Sequence, residues 1–408
     1  MPTLSWLDPQ VVSDLLRRHT VQETAHQLSE MFPGQRGLSV SNIRKFMNEN
    51  DIHKQQRLTQ EELEGTVHQA TTEVGGTYGR RMLQGYLRMQ GIAASQRRIR
   101  AAQAVVAPSY LTNRRADAQR QTNPQPYRAP YFGYNLHMDQ NEKLVEYGIV
   151  FVTAVNGLSG CITRAAIMPR KNNLTIYNLV FSESVAQFGL WDKVIVDKGK
   201  EFLLTLFIQD YLTDFRIKSN GPSRRPSYAQ VTSQKNNRAE RVWNEVNQRV
   251  GYPLKHCLQD MERNGLFQKS NPAHVYASSI IGCSVADVML RRCVGSWNHR
   301  SAQDRGKPID YIEDKINWIL PDGALPSVAD AVEMYRNTGH HLTDEWPYGV
   351  DPLDGQAIKQ ARRDQAFWFE VETIYGGAQI LANNVAQHHY TGFHHCILRF
   401  LAITEEHL

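Results

Sequence analysis

The chain has 408 residues, 41% of them hydrophobic and 21% charged, with a formal net charge of +5. These are globular proportions, and the length predicts two or three domains. Five cysteines (161, 257, 283, 293, 396) without a CxxC pair exclude a secreted disulfide scaffold and point to reduced thiols.

The first ten residues lack a basic stretch followed by an apolar one, and the chain has no run of 18 apolar residues. Neither a signal peptide nor a membrane span is expected. The charge is uneven. Between Thr77 and Pro130 ten arginines face a single acid, Asp117. A local excess of this size points to a polyanion, with nucleic acid first; a solvated helix face plus a charged linker is the plainer explanation.

In chain order, residues from about 9 to 53 read as short helices. Thr20 with Glu23 forms a capping box, and Ser39 or Ser41 caps a later helix that carries Arg44 and Lys45. Helix, turn and basic helix fit a helix-turn-helix reader of DNA, or a plain helical hairpin. Residues from about 58 to 107 repeat the pattern. Thr59 with Glu62 caps the first helix, and the last helix places Arg97, Arg98 and Arg100 where phosphates can be met. Residues from about 108 to 130 hold four prolines and read as a basic linker.

From about 131 the texture changes to strands. YGIVFVTAVNG, SGCITRAAIMP and VIVD are strand-like, NLTIYNLVFSESVAQFGLW and KEFLLTLFIQDYLTDF helical. RIKSNGPSRRPSYAQVTSQKNN reads as a polar loop, with Arg224 and Arg225 placed to hold DNA, before a helix beginning RAERVW. Residues from about 272 to 320 are again helical.

Three acids stand out: Asp139 in LHMDQNEKL, Asp197 in VIVDKGKEF and Glu240 in KNNRAERVW. Asp139 is expected at a strand end or on a strand at an open edge. Asp197 closes a short apolar strand before a glycine, where ligand sites form in α/β sheets. Glu240 opens a helix and is flanked by Arg238 and Arg241. Each acid alone is simply a strand-end or helix-start residue. Together they offer the hard oxygen ligands that Mg²⁺ needs, and two such ions can activate the attacking oxygen and stabilise the leaving one in phosphodiester chemistry.

The words around the acids carry a resemblance. HMDQNEKL at 137–144, DKGKEF at 197–202, NNRAERVW at 236–243 and Trp297-Asn298-His299 resemble motifs of the eukaryotic integrase-core-domain proteins. These are transposon-derived members of the DDE integrase/transposase superfamily. YGRRMLQGYLRMQGI resembles a string in that family's helical front. The resemblance implies a ribonuclease H-like catalytic core and an Asp139/Asp197/Glu240 site for two Mg²⁺ or Mn²⁺ ions. It also implies DNA nicking and strand transfer, with Lys235, Arg238 and Arg241 positioning phosphate. The sequence departs from the family in four places. Asn156-Gly157-Leu158-Ser159-Gly160 replaces an Asp-Gly-Tyr-Ser-Arg turn, Phe202 an asparagine, Lys235 a His or Ser, and Ala239 an isoleucine. These departures support an alternative, a domesticated DNA-binding protein whose core is a weak or inactive scaffold. A nuclease acting on RNA or branched DNA is a third reading.

The fold class expected is α/β. A ribonuclease H-like mixed sheet flanked by helices is preceded by all-α helix-turn-helix-type units and followed by a helical or irregular tail. The divisions are 1–56, 57–107, a linker at 108–130, the core at 131–315 and an extension at 316–408. DNA and further copies of the chain are the expected partners, with no membrane and no small-molecule cofactor. The nucleus is the expected location. The final QHHYTGFHHC, with His388, His389, His394, His395 and Cys396, is expected to be an irregular surface segment; zinc is the other option its composition allows. SNGPSRRPS lacks the ending of a phosphate-cradling loop.

Overall fold

The computed structural model describes residues 4–52, 56–107, 127–218, 221–222, 225–232, 236–301, 306–312, 320–342 and 347–408. Helices α1 (Pro9–Arg18), α2 (Val21–Met31) and α3 (Val40–Glu49) come first. Their apolar faces close a small core of their own around Leu16, Leu28, Ile43 and Phe46. The capping box of Thr20 and Glu23 forms, and Ser39 caps α3.

Helices α4 (Gln60–Val74), α5 (Arg80–Met89) and α6 (Gln96–Val106) follow, with Thr59 and Glu62 capping α4. Two short parallel strands, β1 (Gln56–Arg57) and β2 (Ile92–Ala93), tie their ends.

The central sheet contains β3 (Leu136–Leu144), β4 (Ile149–Asn156), β5 (Ile162–Met168), β6 (Val194–Val196) and β9 (Tyr228–Gln230), in the order β5-β4-β3-β6-β9. The first three pair antiparallel, and β3-β6 and β6-β9 pair parallel. A two-residue hairpin of β7 (Ile217–Lys218) and β8 (Gly221–Pro222) lies outside it. The stretch expected to be entirely loop therefore supplies the edge strand β9. Asp139 lies within the middle strand of the sheet, not at an open edge.

Every residue of β4 is buried. Val150, Val152 and Ala154 face one core, with the helix over 173–188 (α7) and α8 (Leu203–Tyr211). Ile149, Phe151 and Val155 face the other. That second core is larger. It holds α9 (Asn237–Val246), α10 (Tyr252–Arg263) and α11 (Pro272–His299), together with α4–α6. α9 and α10 run on through a π-wound stretch at Asn247–Gly251. A strand covered on both faces reads as an unbroken apolar run, which is how β4 is written.

Helix α11 is the one helix among the described residues long and apolar enough to cross a membrane by length and composition. In this fold it packs between the sheet and α5, and most of it is buried. Its last turn pins the sheet: Asn298 accepts from the Ile162 N–H (2.9 Å) and donates to the Ile162 carbonyl (2.8 Å), and Trp297 donates to the Gly160 carbonyl (2.7 Å).

The C-terminal residues are helical: α12 (Val328–Asn337), α13 (Ala357–Ile374), α14 (Gly377–Ala386) and α15 (Thr391–Glu406). The histidine-rich end divides: His388 and His389 lie exposed in the turn before α15, as expected, while its second half is helical. His394 and Cys396 are buried on α15, and His394 Nε2 lies 2.9 Å from the Cys257 carbonyl.

Candidate active site

Strand β3 builds the site by alternation. Leu136 and Met138 face the α7 side, so His137, Asp139, Asn141 and Lys143 face α9 and α10. Each of the four meets a partner there. His137 Nδ1 is 2.8 Å from Asn236 Oδ1, and Trp243 Nε1 donates to Asp139 Oδ2 at 2.9 Å. Asn141 Nδ2 donates to Asn247 Oδ1 at 2.9 Å, and Lys143 Nζ donates to the Tyr252 hydroxyl at 3.0 Å. Asn236 also donates to the Met138 carbonyl at 3.0 Å. The alternate polar letters of HMDQNEK are thus one side of a ladder that seats the helix on the strand.

That seating brings the three acids near enough for charge to act between them. β3 and β6 pair with His137 opposite Ile195, and continuing the register two residues sets Asp139 level with Asp197. Glu240 lies one turn after Asn236 on α9, whose carbonyl accepts the Glu240 N–H at 3.2 Å. The acids sense one another. The Asp139 carboxyl is pushed up to about 7, by burial first; Glu240 and Asp197 add to this, while the Trp243 and Gln140 N–H groups oppose it. Burial and then Asp197 raise Glu240, against the pull of Lys143.

A fourth carboxylate, Glu201, lies beside Asp197 and accepts from the Gln140 side chain. Its carboxylate end takes the space that a Cβ at Gly199 would need, as the movable end of a flexible side chain. Among the described residues, no group of three or more His, Cys, Asp or Glu is arranged to hold a metal ion. The donor set is nonetheless of the kind a hard divalent cation prefers: carboxylate oxygens, with Asp139 and Glu240 raised by burial and by neighbouring acids and Lys143 acting on Glu240.

The basic residues divide. Arg238 stacks over Tyr127 at 4.7 Å, and the Tyr127 hydroxyl is 2.8 Å from His137 Nε2. Arg241 is exposed on α9. Arg225 turns inward. It bonds the Tyr134 carbonyl (2.8 Å), Asp192 (2.7 Å) and Asn135 (2.7 Å), so its guanidinium is committed to the fold, not to a loop holding DNA. Arg98 is also engaged internally, donating to the Leu58 carbonyl at 2.8 Å. Arg97 and Arg100 on α6 are exposed, as are Arg44 and Lys45 on α3, where Lys45 pairs with Glu49 at 3.7 Å. Lys235 and Arg224 lie outside the described residues.

Residues 127–308 match the family model of the integrase core domain. This segment, a little under half of the chain, is similar to integrase cores. Comparison with curated proteins finds no match. The matched segment contains β3 to β9 and α7 to α11, and therefore all three acids. Its mixed sheet with helices on both faces is the ribonuclease H-like arrangement expected from the sequence. Such cores are typically dependent on divalent metal, and the family points to DNA as the partner. Asn236, Trp243, Asn247 and Tyr252 were not singled out as site residues from the sequence. The signal that finds them is the run of polar residues at every second position of a buried strand.

Proposed function

We propose that this protein nicks DNA and transfers strands through Asp139, Asp197 and Glu240. The observation that carries the reading is that Asp139, raised by burial and then by Glu240 and Asp197, and Glu240, raised by burial and then by Asp197, face one another across the β3–α9 ladder. Two divalent ions, Mg²⁺ or Mn²⁺, would be held by the three acids and would activate the attacking oxygen and stabilise the leaving one. The chain's own residues do the positioning. Trp243 fixes the Asp139 carboxylate, leaving Oδ1 toward the Gln140 N–H. The Gly199 N–H, donating at 3.1 Å, orients Asp197. Lys235, Arg238 and Arg241 would hold phosphate. The exposed Arg44, Lys45, Arg97 and Arg100 on the front helices would meet the DNA backbone, which favours nuclear action. Joining two DNA ends calls for a dimer or larger assembly.

A nicking and strand-transfer assay with Mg²⁺ or Mn²⁺ tests this. Wild type is expected to cleave and join, and Asp139→Asn to lose both by at least about 100-fold, the scale of a lost charge-stabilising group. Equal inactivity of the two proteins over broad conditions would overturn the catalytic reading. One observation favours the second reading, a DNA-binding scaffold without turnover: the Trp243 N–H already occupies Asp139 Oδ2. Calorimetric titration with Mn²⁺ separates the two, since a scaffold takes up no pair of ions.

A further inference from the structure

Four arginines gather around the C-terminal end of α11, and one of them comes from α9. Arg241 directly follows Glu240. Arg249, on the π-wound stretch after α9, is 6% exposed; it pairs with Glu245 and lies 5.0 Å over the Tyr78 ring. Arg300, at the end of α11, lies flat over the Trp297 ring at 3.4 Å. Arg81 comes from α5. Arg241, Arg249 and Arg81 are all close enough to act on the Arg300 charge, and Glu245 is the acid that opposes them.

Two of the guanidinium groups are incompletely satisfied. Arg249 Nε and Arg300 Nη1 are buried and have no hydrogen-bond partner among the described residues. A buried N–H donor without an acceptor is costly, and so are like charges crowded together. Burial and the neighbouring arginines pull Arg300 down to about 10, against Glu245. An oxyanion relieves both conditions at once. Planar guanidinium forks match the oxygens of phosphate, and aromatic stacking on Tyr78 and Trp297 holds two of them in place.

We infer that Arg81, Arg241, Arg249 and Arg300 form a phosphate-binding nest for the DNA strand engaged at Asp139, Asp197 and Glu240. The inference rests on the proposed function and deepens it. Arg241 adjoins Glu240 on α9 and acts on the Arg300 charge, so it links the nest to the carboxylates. Because Arg81 belongs to the helical front, the bound phosphate ties that front to the core. The backbones already touch there: the Ser296 carbonyl fills the space a Cβ at Gly85 would need, and Arg88 donates to Ser301 Oγ at 2.6 Å.

The test is DNA binding by the full chain, followed by fluorescence anisotropy over a range of salt. Arg300→Gln and Arg241→Gln are each expected to weaken binding about 3- to 10-fold. Each should also flatten the slope of log K against log[salt] by about one phosphate contact. Arg291→Gln is the control, since Arg291 is exposed and paired with Asp287 at 2.8 Å on α11. Arg249 is left intact because its burial makes a folding defect the expected result. Unchanged melting temperatures without DNA confirm that the variants fold. If wild type binds and nicks DNA and both variants match its affinity and salt slope, the nest is overturned and the carboxylate reading stands. If wild type neither binds nor cleaves DNA, the carboxylate reading fails, and inorganic pyrophosphate decides the nest. A rise in wild-type melting temperature that Arg300→Gln abolishes retains an oxyanion site filled by free phosphate. No rise overturns it.

Discussion

At the scale of single residues, Asp139 depends most on Trp243. The indole N–H is the one donor that reaches Asp139 Oδ2 from another element, and both side chains are buried. Removing a partner from a buried polar atom costs about 1–3 kcal/mol, more than the net gain from an average hydrogen bond. Trp243→Phe keeps an aromatic ring on α9 and removes the donor. It is expected to lower the unfolding free energy by about 1–3 kcal/mol, read as a lower urea midpoint at unchanged slope, with some added cost from the smaller ring. The informative measurement is a double-mutant cycle with Asp139→Asn. If the bond matters as described, Trp243→Phe costs about 1 kcal/mol less in the Asp139→Asn background. Additivity within about 0.5 kcal/mol would show the two side chains to be merely adjacent.

At the scale of elements, α5 and α11 approach closely where Gly85 lies against the Ser296 carbonyl and the Arg300 backbone. No flexible side-chain end gives way there, because the neighbours are backbone. Gly85→Ala is therefore expected to cost at least about 1–3 kcal/mol through overpacking, despite the better helix propensity of alanine. The same substitution should make residues 57–107 more accessible to limited proteolysis. Retention of the wild-type melting temperature and cleavage pattern would show the contact to be loose. Local chemistry made several elements legible in the sequence. Thr20 with Glu23 and Thr59 with Glu62 cap helices within a four-residue window, so no distant partner is needed to see them. The three acids were legible because each lies in a recognisable word, Asp197 at the end of β6, Glu240 in the first turn of α9 and Asp139 inside β3. Strand β9 was not. It has three residues, two of them exposed, and exists because β6 offers it an edge. Asn236, Asn247 and Tyr252 were hidden for the same reason: their significance lies in partners about 100 positions away on β3. Arg225 carried the wrong expectation because its acceptors, Asp192 and two residues before β3, are assembled only by the fold.

At the scale of the whole molecule, the C-terminal helices complete the large core, and a buried ion pair holds them there. Arg363 on α13 is 1% exposed and grips Asp351 with two bonds, Nη1 to Oδ1 at 2.5 Å and Nη2 to Oδ2 at 2.9 Å. Its guanidinium sits between the Phe400 ring of α15 and the Tyr276 ring of α11, at 4.7 Å and 5.9 Å. One residue thus joins three helices and the loop that carries Asp351. Burial alone raises the Asp351 carboxyl, but the bonds from Arg363, the Leu353 N–H and Gln360 outweigh it and leave the group below its ordinary value of 3.8. A carboxyl lowered on folding contributes stability above its unfolded pKa, and that contribution is lost as pH falls through the folded one. The acid limb of the melting curve should therefore steepen below about pH 4, with the C-terminal helices affected first. Asp351→Asn removes the charge that both Nη atoms of the buried Arg363 grip and leaves only Asp364, on Nε, as its ionic partner among the described residues, at a cost of up to about 3–5 kcal/mol near neutral pH. Melting temperatures of the two proteins from pH 6 down to pH 3 check the sign: the gap between wild type and Asp351→Asn should be full at pH 6 and narrow toward pH 3. A gap that stays constant over this range would mean that Asp351 contributes shape and hydrogen bonds, but no charge, to the seating of these helices.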